Sequence, residues 1–186
     1  MDQLISELAT KARKAGRSLA ASDYLTRVNA VLAIADALIQ RKAEILTANE
    51  LDISQAKESG MVESLIDRLL LTSERIDGIA NGARKVSQLP DPLHQTLRER
   101  TLENGLHLRQ VSVPFGVVGM IYEARPNVTV DASVILLMSG NAALLRGSAS
   151  AAHSNAKLIE IMKGALATTT ISPEVLQRVP SDDRNS

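Results

Sequence analysis

The 186 residues carry 21 Lys and Arg against 21 Asp and Glu, a formal net charge of zero, and 45% of them are apolar. Such a chain is too apolar to be disordered, and too balanced for bulk electrostatic attraction to nucleic acid or an anionic membrane. It holds no cysteine, which excludes disulfides, iron–sulfur clusters, cysteine-based zinc sites and a cysteine nucleophile within these residues. No apolar run nears the roughly 18 residues that span a bilayer, and the opening MDQLISELATKARKAGRSLA lacks the continuous apolar stretch of a secretory signal. The expectation is a cytoplasmic globular protein that binds neither nucleic acid nor membrane.

Helical spacing governs the first ninety residues. Leu4, Leu8, Ala12, Ala15 and Leu19 repeat with the period of one helix. Ser22 is placed to cap a second helix whose inward stripe reads Leu25, Val28, Leu32, Ala35 and Ile39. The helical pattern continues to Gly60, a suitable C-terminal stop, and MVESLIDRLLL reads as a short apolar helix. Thr72 or Ser73 caps the next, which carries Ile76, Ile79, Ala80, Ala83 and Val86, and Pro90-Asp91-Pro92 ends the run.

From Leu97 the period changes. Asn104-Gly105, between short alternating segments, predicts a β-hairpin near 97–113. A strand VVGMIY then ends at Tyr122, a helix runs from about Val128 to Met138, and AALL forms a second strand ending at Arg146-Gly147-Ser148. A helix from about Ser150 to Ala167 and a strand at 175–179 complete the order. Unalternating apolar strands predict a parallel sheet buried on both faces. The fold class is therefore α/β: N-terminal helices, a β-hairpin, then a Rossmann-like βαβαβ half whose ligands bind beyond the strands' carboxyl ends. The divisions are 1–89 (helical), 90–113 (linker and hairpin) and 114–186 (partial cofactor-binding domain).

Between Gln110 and Ala156 the charged residues are Glu123, Arg125, Asp131 and Arg146, and a charge in so apolar a segment needs a reason. Glu123, Arg125 and Arg146 fall at strand ends, where arginine suits phosphate recognition; the plainer reading pairs Glu123 with Arg125. Asp131 reads as structural, in the first turn of its helix, where the dipole favours a carboxylate. Arg146-Gly147-Ser148, with Ser150, could offer backbone N–H groups and hydroxyls to a phosphate or ribose, or be a plain strand-to-helix turn. Asn127 is either a helix N-cap or a donor aimed at an oxyanion. His94, His107 and His153 have no metal-ligand spacing and read as isolated surface or packed histidines.

VPFGVVGMIYEARPNVTVD followed by SGNAALLRGS, with IDRLLLTSERIDGIA and LPDP upstream, closely resembles the γ-glutamyl phosphate reductase family of the aldehyde dehydrogenase superfamily. The resemblance covers nearly the whole chain and fades in the last dozen residues. It implies NADPH-dependent reduction of L-glutamyl 5-phosphate to L-glutamate 5-semialdehyde and phosphate, a step of proline biosynthesis. A cysteine thiolate displaces phosphate, and hydride reduces the resulting thioester. It implies that Arg146, with Gly147 and Ser148, contacts the cofactor, that Asn127 or Arg125 stabilises the oxyanion or touches substrate, and that the complete enzyme is a homo-oligomer. Some relatives carry lysine where this chain has Ala149. Family members are longer and keep the cysteine in a following catalytic domain, absent here, so the expectation is an inactive N-terminal fragment with apolar sheet surface left uncovered. The alternative is a non-catalytic nucleotide-binding or assembly module. A helical interaction protein is disfavoured by two charges and an amide in an apolar loop.

Overall fold

The computed structural model describes residues 2–181; Met1 and residues 182–186, the outer ends of the first and last predicted segments, lie outside the described residues. Five helices come first: α1 (Asp2–Ala20), α2 (Tyr24–Gln40), α3 (Lys42–Glu58), α4 (Glu63–Leu69) and α5 (Ser73–Val86). The hairpin β1 (Thr96–Thr101) and β2 (His107–Val111) follows, then β3 (Val117–Ile121), α6 (Pro126–Met138), β4 (Ala142–Arg146), α7 (Ala152–Leu166) and β5 (Leu176–Arg178). Strands β3, β4 and β5 form a parallel sheet in that order, with Val117 beside Ala142 and Ala143 beside Leu176. This is the expected α/β architecture.

Helix α1 covers one face of the sheet, and α6 and α7 cover the other, backed by α2, α3 and α5. One apolar core draws on all of these layers, from Ala12 and Leu19 through Ile34 and Ile76 to Leu145, Leu158 and Leu176. Helix α1 approaches the sheet through Gly16, whose missing side chain would lie 3.3 Å from the Ala142 Cβ. Among the described residues, no helix is long and apolar enough to cross a membrane.

Local signals fared well where a few neighbouring residues decide the geometry. Gly60 adopts φ +72°, and the chain closes α3 with Met61 N–H donating to Ala56 O and Gly60 N–H to Lys57 O, a Schellman stop. Thr72 caps α5 by accepting from the Arg75 N–H at 3.2 Å. Gly105 takes φ +83° in the hairpin turn.

Four expectations change. The cap of α2 is Asp23, whose Oδ1 accepts from Thr26 N–H at 2.7 Å, while the Ser22 hydroxyl turns back to Leu19 O. Ser22 lies one residue too early to reach the free N–H groups. The buried face of α2 is Arg27, Ala30, Val31, Ile34, Ala35 and Leu38, and Leu25 is 66% exposed. That helix packs against α5, α6 and α7 at once, so its contacts are wider than one stripe and rotated from it. Strand β3 is an edge strand with Gly119 and Ile121 exposed, whereas β4 in the centre is largely buried. The hairpin strands, read as alternating, are exposed on every residue because no layer covers either face among the described residues.

Candidate functional site at the carboxyl edge of the sheet

Pro126 decides how the β3–α6 loop ends. Its fixed φ suits the first helical position, and it forces the preceding Arg125 into an extended conformation at φ −136°, ψ 92°. Helix α6 therefore starts two residues before the predicted Val128. Arg125 occupies the N-cap position without a side-chain cap, so the N-cap reading of Asn127 falls. Asn127 instead donates from Nδ2 to Asp131 Oδ2 at 3.0 Å, one helical turn on.

The start of the helix at Pro126 also moves Asp131 beyond the first turn, where the helix dipole has faded. Burial pushes its carboxyl above the ordinary range, and the Asn127 hydrogen bond only partly opposes this. Arg125 and Glu123 meet through the backbone alone, Arg125 N–H donating to Glu123 O at 2.8 Å, with no ion pair between their side chains among the described residues. Arg125, Asn127 and Asp131 face a cavity of about 420 Å³ closed on its other side by Arg68, Leu70 and Ile79.

One strand over, Arg146 ends β4 beside Ile121 of β3, and its carbonyl accepts from Tyr122 N–H at 3.1 Å. The two predicted groups of residues thus share one sheet edge, on strands about 4.8 Å apart. Gly147 is buried because nothing larger fits: an added Cβ would collide with the Asn155 amide and come within 3.0 Å of the Tyr122 ring. The Ser148 hydroxyl pairs with that of Ser150 at 2.7 Å and accepts from the Ser150 N–H, opening a single turn at Ala149–Ala151 before α7. A half-buried cation and two hydroxyls beyond the central strand suit an anionic nucleotide cofactor.

Several residues that hold this edge together escaped the sequence reading. Thr129 Oγ1 donates to Asn155 Oδ1 at 2.7 Å, so its single proton is spent and the Tyr122 hydroxyl must donate to it, also at 2.7 Å. This chain ties the end of β3 to α6 and α7, and burial raises the Tyr122 pKa. Behind it, Asp52 of α3 accepts from His153 N–H, Ser154 N–H and the Ser154 hydroxyl, and contacts His153 Nδ1 at 2.8 Å. Asn49 donates to Leu69 O and to Ser154 Oγ. His153 is therefore paired rather than isolated, while His107 bonds Thr101 on the hairpin and His94 lies exposed at φ 59°. Among the described residues, no group of three or more His, Cys, Asp or Glu side chains could hold a metal ion. These polar residues are uncharged or far away in sequence, so no isolated charge in the apolar segment marks them.

The aldehyde dehydrogenase family profile matches residues 2–186. The chain belongs to the aldehyde dehydrogenase family. It is 47% identical over 182 residues to a γ-glutamyl phosphate reductase of Thermobifida fusca, covering 98% of this chain and 44% of that protein. Among solved structures it is similar to the γ-glutamyl phosphate reductase of Thermotoga maritima (38% identity, TM-score 0.92, 96% of this chain and 43% of that one). The Saccharomyces cerevisiae enzyme of the same name is similar at 31% identity and TM-score 0.88, covering 95% of this chain and 46% of that one. The chain thus spans less than half the length of the relatives it matches. The fold agrees with this family as expected.

Proposed function

We propose that this chain forms the cofactor-binding part, and one wall of the substrate site, of a γ-glutamyl phosphate reductase that reduces L-glutamyl 5-phosphate to L-glutamate 5-semialdehyde with release of phosphate. The observation carrying the reading is the 47% identity to such an enzyme over 182 residues, taken with the cation and hydroxyls at the edge where this fold family binds its cofactor. Arg146, Ser148 and Ser150 would hold the cofactor, with Gly147 letting the turn pack closely enough to present them. NADPH, when bound, supplies the hydride. Asn127 has one amide proton on Asp131 and a second left for the oxygen of a reacting carbonyl, and Arg125 adds positive charge at the same loop. With no cysteine among the 186 residues, a nucleophilic thiol must come from outside them. The absence of that thiol also favours a second reading, a nucleotide-binding or assembly module without chemistry of its own.

Calorimetric titration with NADPH tests the cofactor reading. Saturable binding is expected, weakened about tenfold or more by Arg146→Ala, as suits loss of one charge-assisted contact to phosphate. A folded chain that does not bind NADPH, or binds it equally well after Arg146→Ala, would overturn it. NADH titrated in parallel separates the two nicotinamide cofactors.

The proposed enzyme is cytoplasmic and a homo-oligomer. The exposed hairpin, with Leu97 at 59% exposure, and the segment after it, with Val113 at 64% and Phe115 at 93%, support assembly through that face. Sedimentation is expected to give a mass above 20.0 kDa, reduced to that of the monomer by Phe115→Ser. A monomer at all concentrations would remove this part of the reading.

A further inference from the structure

We propose that the cavity between the α4–α5 turn and the start of α6 receives the α-amino-acid end of the substrate, Asp131 taking its ammonium group and Arg68 facing its carboxylate. This rests on the reading above and deepens it, since it says which end of the substrate these residues recognise.

Asp131 is a half-buried carboxylate whose bond within the protein is the one from Asn127, and no lysine, arginine or histidine pairs with it among the described residues. Leaving a partly desolvated carboxylate without a cation is unfavourable, and a residue kept for stability would be paired. Three arginines, Arg68, Arg75 and Arg125, nonetheless line the same cavity. Arg68 and Arg125 are exposed and make no ion pair among the described residues. Their neighbour Arg75 behaves differently: it is occupied by Asp67 Oδ1 at 2.8 Å and by the Leu70 carbonyl at 2.9 Å.

A cavity that holds an unpaired anion and unpaired cations together is complementary to a zwitterion. A phosphate or a dinucleotide would meet the cations but be repelled by Asp131. The walls between the charges are the side chains of Leu70, Leu71 and Ile79, which suit a methylene stem. Asn127 and Asp131 stand four residues apart on α6, so their Cβ atoms lie about 5–6 Å apart. They can address the reacting carbonyl and the ammonium group at the two ends of one five-carbon amino acid.

The test uses the full 186-residue chain, titrated with L-glutamate and with glutarate, which keeps both carboxylates and lacks the ammonium group. Binding is read from amide shifts at residue 125 and residues 127–131. L-Glutamate is expected to bind about tenfold more tightly than glutarate. Asp131→Asn should erase that preference while leaving the melting temperature unchanged or raised, whereas a structural role would lower it. Arg68→Gln, at an exposed position, should weaken both ligands and serves if Asp131→Asn does not fold. Equal affinity for the two ligands, an undiminished preference in Asp131→Asn, or no perturbation at residue 125 and residues 127–131 would overturn the proposal. NADPH binding in the same samples reports on the broader reading alone. If it persists without an L-glutamate preference, this inference fails and that reading stands; if it is absent while the preference holds, the reverse follows.

Discussion

Asp91→Ala is expected to lower the unfolding free energy by about 3 kcal/mol, and Arg27→Met by clearly less, about 1 kcal/mol. The Arg27 side chain is 2% exposed in the first turn of α2, where its Nη2 lies 2.7 Å from both carboxylate oxygens of Asp91. Nη1 donates to the Ser22 carbonyl, and Nε finds no acceptor among the described residues. Removing Asp91 therefore strands a buried guanidinium that already has one unsatisfied N–H. Methionine in place of arginine removes the charge and fills much of its volume, while Asp91, 27% exposed, can turn toward water. For a chain of this size, 3 kcal/mol corresponds to about 6–12 °C in melting temperature. Denaturant unfolding of the two single variants and the double variant measures the difference. If Arg27→Met is the more damaging, packing rather than charge burial dominates at this site. Asp91 Oδ1 also accepts from Leu93 N–H at 3.0 Å, so Asp91→Asn should recover part of the loss through that turn.

Asp52→Ala is expected to cost about 2–4 kcal/mol and to loosen the turn that carries the cofactor candidates. Helix α7 begins without a capping side chain of its own, since Ala151 stands at its N-cap. Its second and third N–H groups, from His153 and Ser154, donate to Asp52 at 3.1 and 2.8 Å. A carboxylate from α3 thus does the work of a cap from 101 residues away, with the added favour of negative charge at the positive helix end. Alanine leaves those N–H groups and the Ser154 hydroxyl without their acceptor in a buried place. Because α7 follows directly from Arg146-Gly147-Ser148, hydrogen exchange in Asp52→Ala should rise first at 147–155, and NADPH affinity should fall with it. Asp52→Asn keeps one acceptor oxygen and should lie between wild type and Asp52→Ala. Unchanged exchange at 147–155 would sever the proposed link between this cap and the cofactor turn.

Where the candidate residues sit in the fold was legible in the sequence because rare charges in an apolar stretch mark themselves. Arg125 and Arg146 stand at neighbouring strand ends as anticipated, and Asn127 lies with Arg125 on one cavity. Asp131 was misplaced because its relation to the helix dipole depends on where α6 starts. Pro126 and the extended Arg125 settle that start two residues early. Arg68 lay among ordinary surface charges; its place opposite Asp131 requires the packing of α5 on α6.

The sequence by itself determined the features governed by a few adjacent residues: the order of helices and strands, the Gly60 stop, the Thr72 cap, the Asn104-Gly105 turn and the parallel βαβαβ pattern. These depend on backbone dihedral preferences and hydrogen bonds spanning no more than five or six residues. Tertiary structure alone decided which face of α2 is buried, which strand lies at the edge, and how Asp52 caps α7. It also decided that Asp131 shares a cavity with Arg68. Each of these joins segments tens of residues apart, and the energies of burial and pairing that select them exist only once the layers have met.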